Sequence, residues 1–568
     1  MPRGPPPLHL GFPVAAGLVG GRVSTYSQPA KVQDPMSGLH CKASCNCRVE
    51  GDRILRSTEG PTDRAHFSFS AFELKPTAPA TAMLEFLANL RGRVSVEVQL
   101  ASAVAVSLAV LYTVSSSRRG QKQLNVAEPP TRKPLIGDTL ELLRNNDNFH
   151  DWLLDLCLRF DGRPFSLSAP GRPQVLIINS PEAFEDVVKT QFDNFGKGPY
   201  LYDIMHDLVG DSIAIRKIFA SLFSARALRE SMATVVRKHA QSLNKVFERS
   251  AETGDAIDLF KLMNRFTMVT FAEIGCSIEI DSLVTGNEHP FERAFEEAEH
   301  IIGSRMSLPV WFWKLQRFLN VGAEKELKHH VDVIDKIVYG FVLESINARA
   351  RGEKVGGRDI ISLVLDNSEV NEGVTPSLLR DIVMSALVAG RDTTAETLSW
   401  FFHMIAGHPE VERKVRAEVR TVLPKLFEDP YYIPTMEDVQ NLIYMEAAFK
   451  ETLRLYPPAP FNYKHAFNDT FLSDGTFVPG GTDIGIPNYA MGRLTQIWGP
   501  DAREYRPERF LDDEGKLLTI SNFKFSAFHA GPRLCVPGQD ITYCRSVTMP
   551  MKNPMMVNVH PVASPNAA

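Results

Sequence analysis

The clearest pattern along the chain is helical, because apolar residues recur every three or four positions over several long stretches. This spacing places the apolar side chains on one face of a helix, where they can pack against a core. The longest stretch follows Thr375, a residue type that caps helix N-termini, and contains a single internal glycine. The predicted helices cover Ala225–Arg249, Leu259–Cys276, Pro290–Arg305, Ala323–Ala350 and Pro376–Ile405.

Signals for strands are fewer and shorter. Phe165-Ser-Leu-Ser and Val175-Leu-Ile-Ile are separated by Gly171-Arg-Pro, which predicts a small hairpin. Ser180 and Pro181 then open a helix as N-cap and first helical residue. The sequence therefore predicts a mainly α fold with a minor β-sheet.

A different pattern occupies Val98 to Val114, which is apolar or small except for four polar residues and carries no charge. A helix of this length spans roughly 25 Å at about 1.5 Å per residue, slightly less than a hydrocarbon core of about 30 Å. The positively charged Arg118 and Arg119 follow the apolar stretch. Positive residues flanking a membrane helix usually lie on the cytosolic side, which places the part of the chain after the helix in the cytosol. We expect a single N-terminal membrane anchor, with the endoplasmic reticulum as the expected membrane. A buried helix is the alternative.

Proline and glycine mark the boundaries of the other regions. Residues 1–82 lack a helical or strand period, which predicts a poorly ordered extension; an organelle presequence is the alternative. The anchor region then covers 83–128. Pro129, Pro130 and Pro134 exclude a helix and predict a stiff hinge at the start of the main domain, 129–539. Pro550 and Pro554 predict an irregular tail at 540–568.

Composition excludes some classes of function. The 568 residues carry a net charge of −5 with a pI near 6.3, which gives no electrostatic case for binding nucleic acid. The seven cysteines are few and mostly isolated, which fits a reducing compartment. Cys41, Cys45 and Cys47 lie close together, but no further cysteine or histidine follows at zinc spacing.

Candidate chemistry concentrates in the segment Phe525-Ser-Ala-Phe528-His-Ala-Gly531-Pro-Arg533-Leu-Cys535. A thiol after a Gly-Pro turn and close to an arginine is suited to bind a metal as an exposed thiolate. Zinc would need more ligands nearby. A single thiolate suits haem iron, where it favours cleavage of the O–O bond. An ordinary loop cysteine is the alternative.

This segment resembles the haem loop of the cytochrome P-450 family, the haem-thiolate monooxygenases. The resemblance implies that Cys535 is the axial ligand of the iron of haem b. It also implies that Phe528, Gly531 and Arg533 form the loop around the cofactor, and that Arg216 lies near the haem propionates.

The same resemblance gives a role to Ala389-Gly390-Arg391-Asp392-Thr393-Thr394, in the middle of the longest predicted helix. Glycine costs about 1 kcal/mol relative to alanine in a helix, so its presence requires a reason. Close approach of a ligand to the backbone is the usual reason, and a packing kink is the alternative. In the family, the small pair at Ala389 and Gly390 lets oxygen and substrate lie against the helix. The acid and the alcohol, here Asp392 and Thr393, relay protons for oxygen activation.

A structural brace is the third element of the resemblance. Glu451 and Arg454 are three residues apart on one predicted helix and therefore share a face. Pro507-Glu-Arg509-Phe510 resembles the family segment whose arginine completes a Glu-Arg-Arg brace under the haem. The resemblance covers about Pro129 to Gln539.

The implied activity is insertion of one oxygen atom of O2 into a C–H bond of a lipophilic substrate. Likeness to the fatty-acid ω-hydroxylase branch, in Gly390–Ala395, Tyr489–Arg493 and Phe192–Phe195, makes a fatty acid the expected substrate; sterols and other lipids remain alternatives. The family implies electrons from NADPH, delivered by cytochrome P-450 reductase.

Two departures from the family pattern support a second hypothesis. The family usually places a tryptophan four residues before the propionate arginine, where this chain has Ser212. After Cys535 the family expects a Cys-x-Gly start of a long helix, which Pro537, Pro550 and Pro554 forbid. The alternative is a catalytically inactive, truncated relative that acts as a membrane-associated binding protein or does not fold stably.

Overall fold

The computed structural model of the chain describes residues 8–12, 21–25, 124–211, 232–277, 279–352, 359–366, 374–429, 432–531, 550–551 and 554–561. The chain divides into two compact units, Met1–Ser27 with Thr113–Ala568, and Gln28–Tyr112. Every described residue belongs to the first unit.

Helices make up most of the described chain. They are α1 (Thr139–Arg144), α2 (Phe149–Arg159), α3 (Pro181–Glu185), α4 (Gly198–Val209), α5 (Ala233–Thr253), α6 (Leu259–Cys276), α7 (Ser282–Thr285), α8 (Pro290–Arg305), α9 (Val310–Leu319), α10 (Gly322–Ala350), α11 (Ile360–Asp366), α12 (Pro376–Gly407), α13 (Pro409–Val422), α14 (Lys425–Glu428), α15 (Met436–Val439), α16 (Ile443–Leu455), α17 (Asn488–Met491) and α18 (Thr495–Trp498).

The strands are short. They are β1 (Leu8–Phe12), β2 (Gly21–Thr25), β3 (Phe165–Leu167), β4 (Val175–Ile177), β5 (Phe195–Gly196), β6 (Ile257–Asp258), β7 (Asn462–Ala466), β8 (Thr470–Phe471), β9 (Phe477–Val478), β10 (Asp483–Ile486) and β11 (Met556–Pro561). One sheet has the order β1-β2-β11-β6, another has β3-β4-β10-β7-β5, and β8 pairs with β9. The predicted fold class, mainly α with a minor β-sheet, is confirmed.

Local signals placed the helix ends well. The bounds of α6 and α8 coincide with the predicted ranges, and α10 begins one residue before its prediction. Thr375 caps α12, because its Oγ1 accepts a hydrogen bond from the backbone N–H of Leu378 at 3.2 Å. Ser180 caps α3 in the same way through Ala183.

Helix α12 lies at the centre of the main hydrophobic core. It packs against α6 along much of its length, and also against α10 and α16. Because it is surrounded, most of its side chains are buried, including charged ones such as Arg380, Arg391 and Glu396. Burying these charges requires partners, and those partners define the site described below.

The two ends of the chain differ from the expectation. Strands β1 and β2 lie within the predicted extension, and β11 lies within the tail that was predicted to be irregular. β11 pairs antiparallel with β2 and with β6, with Val559 opposite Val23 and Val557 opposite Ile257. Because these partners are distant in sequence, no local pattern reveals the pairing.

The predicted anchor helix at 98–114 lies outside the described residues. Within the described ranges, no helix combines the length and apolar character needed to cross a bilayer.

Candidate active site

The middle of α12 leaves one face uncovered. Ala389, Thr393 and Thr397 are spaced four apart, so they lie on the same face, and each remains partly exposed although most of the helix is buried. Thr393 Oγ1 donates to the Ala389 carbonyl oxygen at 2.6 Å, and Thr397 Oγ1 donates to the Thr393 carbonyl oxygen at 2.6 Å. This face can therefore accept a ligand and carries hydroxyl groups beside it.

Gly390 has a different neighbour from the expected one. A Cβ atom at this position would lie 2.2 Å from a ring carbon of Phe271 on α6. The glycine is therefore explained by close packing of α6 against α12, whereas we had expected a ligand to approach the backbone there. Ala389 remains on the uncovered face.

We expect Gly390→Ala to lower the free energy of unfolding by about 1–3 kcal/mol, the usual cost of adding a methyl group to a filled space. Gly340→Ala in α10 is the matched control, because no atom lies within 4 Å of its Cβ position. That variant should raise the free energy of unfolding by about 0.5–1 kcal/mol through helix propensity. Urea unfolding followed by circular dichroism measures both. Similar effects at the two positions would contradict the packing explanation.

Asp392 lies in a buried cluster of charges. Arg391 Nη1 donates to Asp392 Oδ1 at 2.6 Å, and a carboxylate oxygen of Glu299 on α8 lies 3.5 Å from the same nitrogen. Arg391 Nη2 donates to Glu296, also on α8. Burial lowers the pKa of Arg391, but the neighbouring carboxylates Asp392, Glu299 and Glu296 raise it more strongly, so the pKa lies above its ordinary value. The guanidinium therefore stays charged and holds the carboxylates together.

Glu299 in this cluster keeps its proton to a higher pH than an ordinary glutamate does. Burial raises the pKa of its carboxyl group well above the ordinary value, and the negative charge of Asp392 raises the pKa further. The carboxyl groups of Glu299 and Asp392 approach the same nitrogen, Arg391 Nη1, at 3.5 and 2.6 Å. The predicted relay acid therefore has a proton-holding neighbour on another helix, which sequence spacing did not indicate.

The three residues of the predicted brace lie together. Arg454 Nε and Nη2 donate to the two carboxylate oxygens of Glu451 at 2.6 and 2.8 Å, and both side chains are fully buried. Arg509 Nε lies 3.4 Å from Glu451, and its Nη1 donates to Asp501 at 3.0 Å. Arg454 also donates to three backbone carbonyl groups, those of Gly492, Ala502 and Glu504. The cluster therefore joins α16 to the segment that precedes the cysteine loop.

The first part of the cysteine loop packs closely on the preceding structure. Gly531 has a φ of +67°, and a Cβ atom there would lie 2.1 Å from the carbonyl oxygen of Val188. Only glycine satisfies both constraints. The exposed Phe528 contacts the buried Phe525, with ring centroids 6.1 Å apart and nearly perpendicular planes. The predicted Arg216, Arg533 and Cys535 lie outside the described residues.

Comparison with known proteins decides the family. The family model for cytochrome P450 matches residues 127–545. The chain belongs to the cytochrome P-450 family. The family that the cysteine loop resembles is therefore confirmed.

Relatives from plants match over most of their length. The chain is 32% identical to cytochrome P-450 704C1 from Pinus taeda over 473 residues, which cover 77% of this chain and 88% of the relative. It is 33% identical to cytochrome P-450 86B1 from Arabidopsis thaliana over 430 residues, covering 70% and 74%. Cytochrome P-450 94B1, also from Arabidopsis thaliana, is 31% identical over 439 residues, covering 73% and 82%.

Membership of the cytochrome P-450 family implies haem iron, and the described residues fit this cofactor. Lys464 is buried on β7 opposite Ile484 of β10, so it shares a sheet face with Ala466. That face packs in the same apolar cluster as Ala530 of the cysteine loop. Lys464 is therefore a buried cation beside this cluster, and cations of this kind pair with carboxylate groups.

Sequence reasoning missed Lys464 because a lysine in a strand is usually assigned to the solvent side. No local signal marked its burial, because the strand itself reads Asn462-Tyr-Lys-His-Ala466, in which three of the five residues are polar or charged. Packing of the apolar cluster on this face of the sheet accounts for its burial.

Proposed function

We propose that this protein is a haem-dependent monooxygenase that inserts one oxygen atom of O2 into a C–H bond of a lipophilic substrate. The observation that carries the proposal is the placement of Thr393 on the uncovered face of α12 with Asp392 directly behind it. When bound, the haem supplies the oxygen-activating chemistry, and the protein supplies orientation, protons and exclusion of water.

Each site residue has a distinct task in this proposal. Cys535 is the thiolate ligand of the iron, and Arg533 and Arg216 are cations beside the cofactor. The Thr393 hydroxyl can rotate from the Ala389 carbonyl oxygen and donate into the site instead, because a hydroxyl group is both donor and acceptor. NADPH supplies the electrons through cytochrome P-450 reductase.

A fatty acid is the proposed substrate. The support is the likeness of Gly390–Ala395, Tyr489–Arg493 and Phe192–Phe195 to the fatty-acid ω-hydroxylase branch. Haem-loaded protein, reductase and NADPH incubated with a long-chain fatty acid should yield a hydroxylated product detectable by mass spectrometry. If the haem-loaded protein forms no oxygenated product, the fatty-acid assignment is rejected and sterols are the next substrates to test.

The thiolate ligand has a spectroscopic test that needs no substrate. The reduced protein with carbon monoxide should show the red-shifted Soret band of a thiolate-bound haem, and Cys535→Ala should abolish it. Cys157→Ala is the matched control, because burial raises the pKa of the Cys157 thiol to about 12 and keeps it from forming a thiolate. Persistence of the band in Cys535→Ala would assign the ligand to another residue.

The inactive-relative hypothesis is favoured by Ser212 and by the prolines after Cys535. It predicts that the full-length chain, whether or not it folds stably, shows neither the Soret band nor any product. Appearance of the band in the full-length protein, and its loss in Cys535→Ala, would reject this hypothesis.

We propose that the protein is attached to the endoplasmic reticulum membrane, with the predicted helix at 98–114 as anchor and the main domain in the cytosol.

Additional support comes from an apolar surface on the main domain. This surface has two parts, one at residues 135–143 and one at residues 311–319. The turn between β3 and β4 links them. The Gly171 carbonyl oxygen accepts a hydrogen bond from the backbone N–H of Val310, and the Ser168 carbonyl oxygen accepts one from the backbone N–H of Asp138. The exposed apolar residues are Leu135, Ile136, Leu140, Leu143, Trp311, Phe312, Leu315, Phe318 and Leu319. Sedimentation with lipid vesicles tests this location; a full-length chain that stays in the supernatant would contradict it.

A further inference from the structure

Three carboxyl groups around Arg391 form a series from solvent to interior. The exposed fraction of the side chain is 45% for Glu296, 21% for Glu299 and 8% for Asp392. Glu299 and Asp392 approach the same guanidinium nitrogen, Nη1, while Glu296 binds Nη2. Arg391 therefore binds carboxyl groups whose exposure decreases from the surface of α8 to the predicted relay acid on α12.

The charges of this cluster do not balance if every carboxyl group is ionised. One guanidinium faces the carboxyl groups of Glu296, Glu299 and Asp392. Two carboxyl groups that share one guanidinium nitrogen in a largely buried cluster disfavour each other's ionisation, which favours one proton held at Glu299. The pKa of Glu299, raised first by burial and then by Asp392, agrees with this geometry.

We propose that Glu299 is a positioning residue that holds a proton between solvent and Asp392, so that Asp392 is reprotonated through Glu299. Each transfer moves one proton from the Glu299 carboxyl group to the Asp392 carboxylate, and Glu299 then takes one proton from water. Arg391 stays charged throughout and keeps the two oxygen acceptors adjacent. The proposal rests on the proposed function only in that Asp392 passes protons toward the active site.

The shared proton can be observed without turnover. Infrared spectra of the resting haem-loaded protein, compared in H2O and D2O near neutral pH, should contain the carbonyl band of a protonated carboxylic acid. Glu299→Gln should remove this band. Asp392→Asn should keep the band but let it titrate at a lower pH, because the burial of Glu299 remains while the adjacent negative charge is lost.

The matched control is Glu297→Gln, the same chemical change at an exposed position on the same helix. This variant should keep the band. The proposal is overturned if the wild-type protein has no such band, or if the band survives in Glu299→Gln.

Turnover separates a role in proton supply from a structural one. In Glu299→Gln we expect the product formed per NADPH consumed to fall by about tenfold or more, with a changed pH profile. Glu299→Asp, which keeps a titratable group, should recover part of the loss, and Glu297→Gln should behave as wild type. An unchanged yield and pH profile in Glu299→Gln would overturn the proposal. If the wild-type protein forms no product although the infrared band is present, the proposed function fails while the shared proton stands.

Discussion

Arg454→Ala is expected to lower the free energy of unfolding by about 3–5 kcal/mol, because it leaves the carboxylate of Glu451 buried without its principal counter-charge. The loss includes three further hydrogen bonds, from Arg454 to the carbonyl groups of Gly492, Ala502 and Glu504. Proteins are typically stable by only about 5–15 kcal/mol, so this loss is a large part of the total. Guanidinium unfolding followed by circular dichroism measures it.

The control lies on the same helix. Lys450 pairs with Glu446 at 2.8 Å on the partly exposed side of α16, and such pairs contribute about 0.3–0.5 kcal/mol. Lys450→Ala should therefore change stability little. If Arg454→Ala does not fold, Arg509→Ala provides a milder test, since Glu451 then keeps both hydrogen bonds from Arg454. Equal losses in Arg454→Ala and Lys450→Ala would show that the brace contributes no more than a surface pair.

Arg305→Ala is expected to lower the free energy of unfolding by a similar amount, about 3–5 kcal/mol, because it removes one partner of another buried ion pair. Arg305 on α8 donates from Nε and Nη2 to the two carboxylate oxygens of Glu324, each at 2.7 Å. It also lies 2.7 Å from Asp207, and donates to the Ile204 carbonyl oxygen at 2.8 Å. One fully buried arginine thus joins α4 and α8 to the start of α10.

A double-mutant cycle isolates this contribution. Arg305→Ala, Glu324→Ala and the double variant should give a coupling energy of about 0.5–3 kcal/mol between the two sites. Lys314→Ala serves as the control, because it removes a partly exposed ion pair with Asp203 of the same helix α4. Raising the salt concentration should weaken the Lys314 pair and leave the Arg305 pair largely unaffected. Additive effects of the two substitutions at Arg305 and Glu324 would contradict the network.

Short-range patterns were enough for several of the long helices and for the family. The bounds of α6 and α8 followed from local apolar spacing. The N-cap at Thr375 followed from residue type. The cysteine loop identified the family because its fixed positions lie within eight residues, Phe528 to Cys535.

Spacing along α16 also predicted that Glu451 and Arg454 share a face, but it could not tell whether that face is exposed or buried. The structure buries both completely, because the segment from Gly492 to Arg509 covers them. An exposed pair of this kind contributes little to the free energy of unfolding. When the pair is buried, removing one partner leaves the charge of the other without compensation, which is costly. The same holds for Lys464, whose burial depends on the apolar cluster that packs on its face of the sheet.

The amino-acid order by itself determined several of the long helices, the haem-loop motif and the identities of Asp392 and Thr393, since each depends on neighbours within a few residues. Only the tertiary structure decided that Phe271 requires Gly390, that Glu299 meets Asp392 on Arg391, and that β11 pairs with β2. These contacts join residues far apart in sequence. Packing determines the distances between these residues and how deeply they are buried. Burial in turn determines how strongly their charged groups interact.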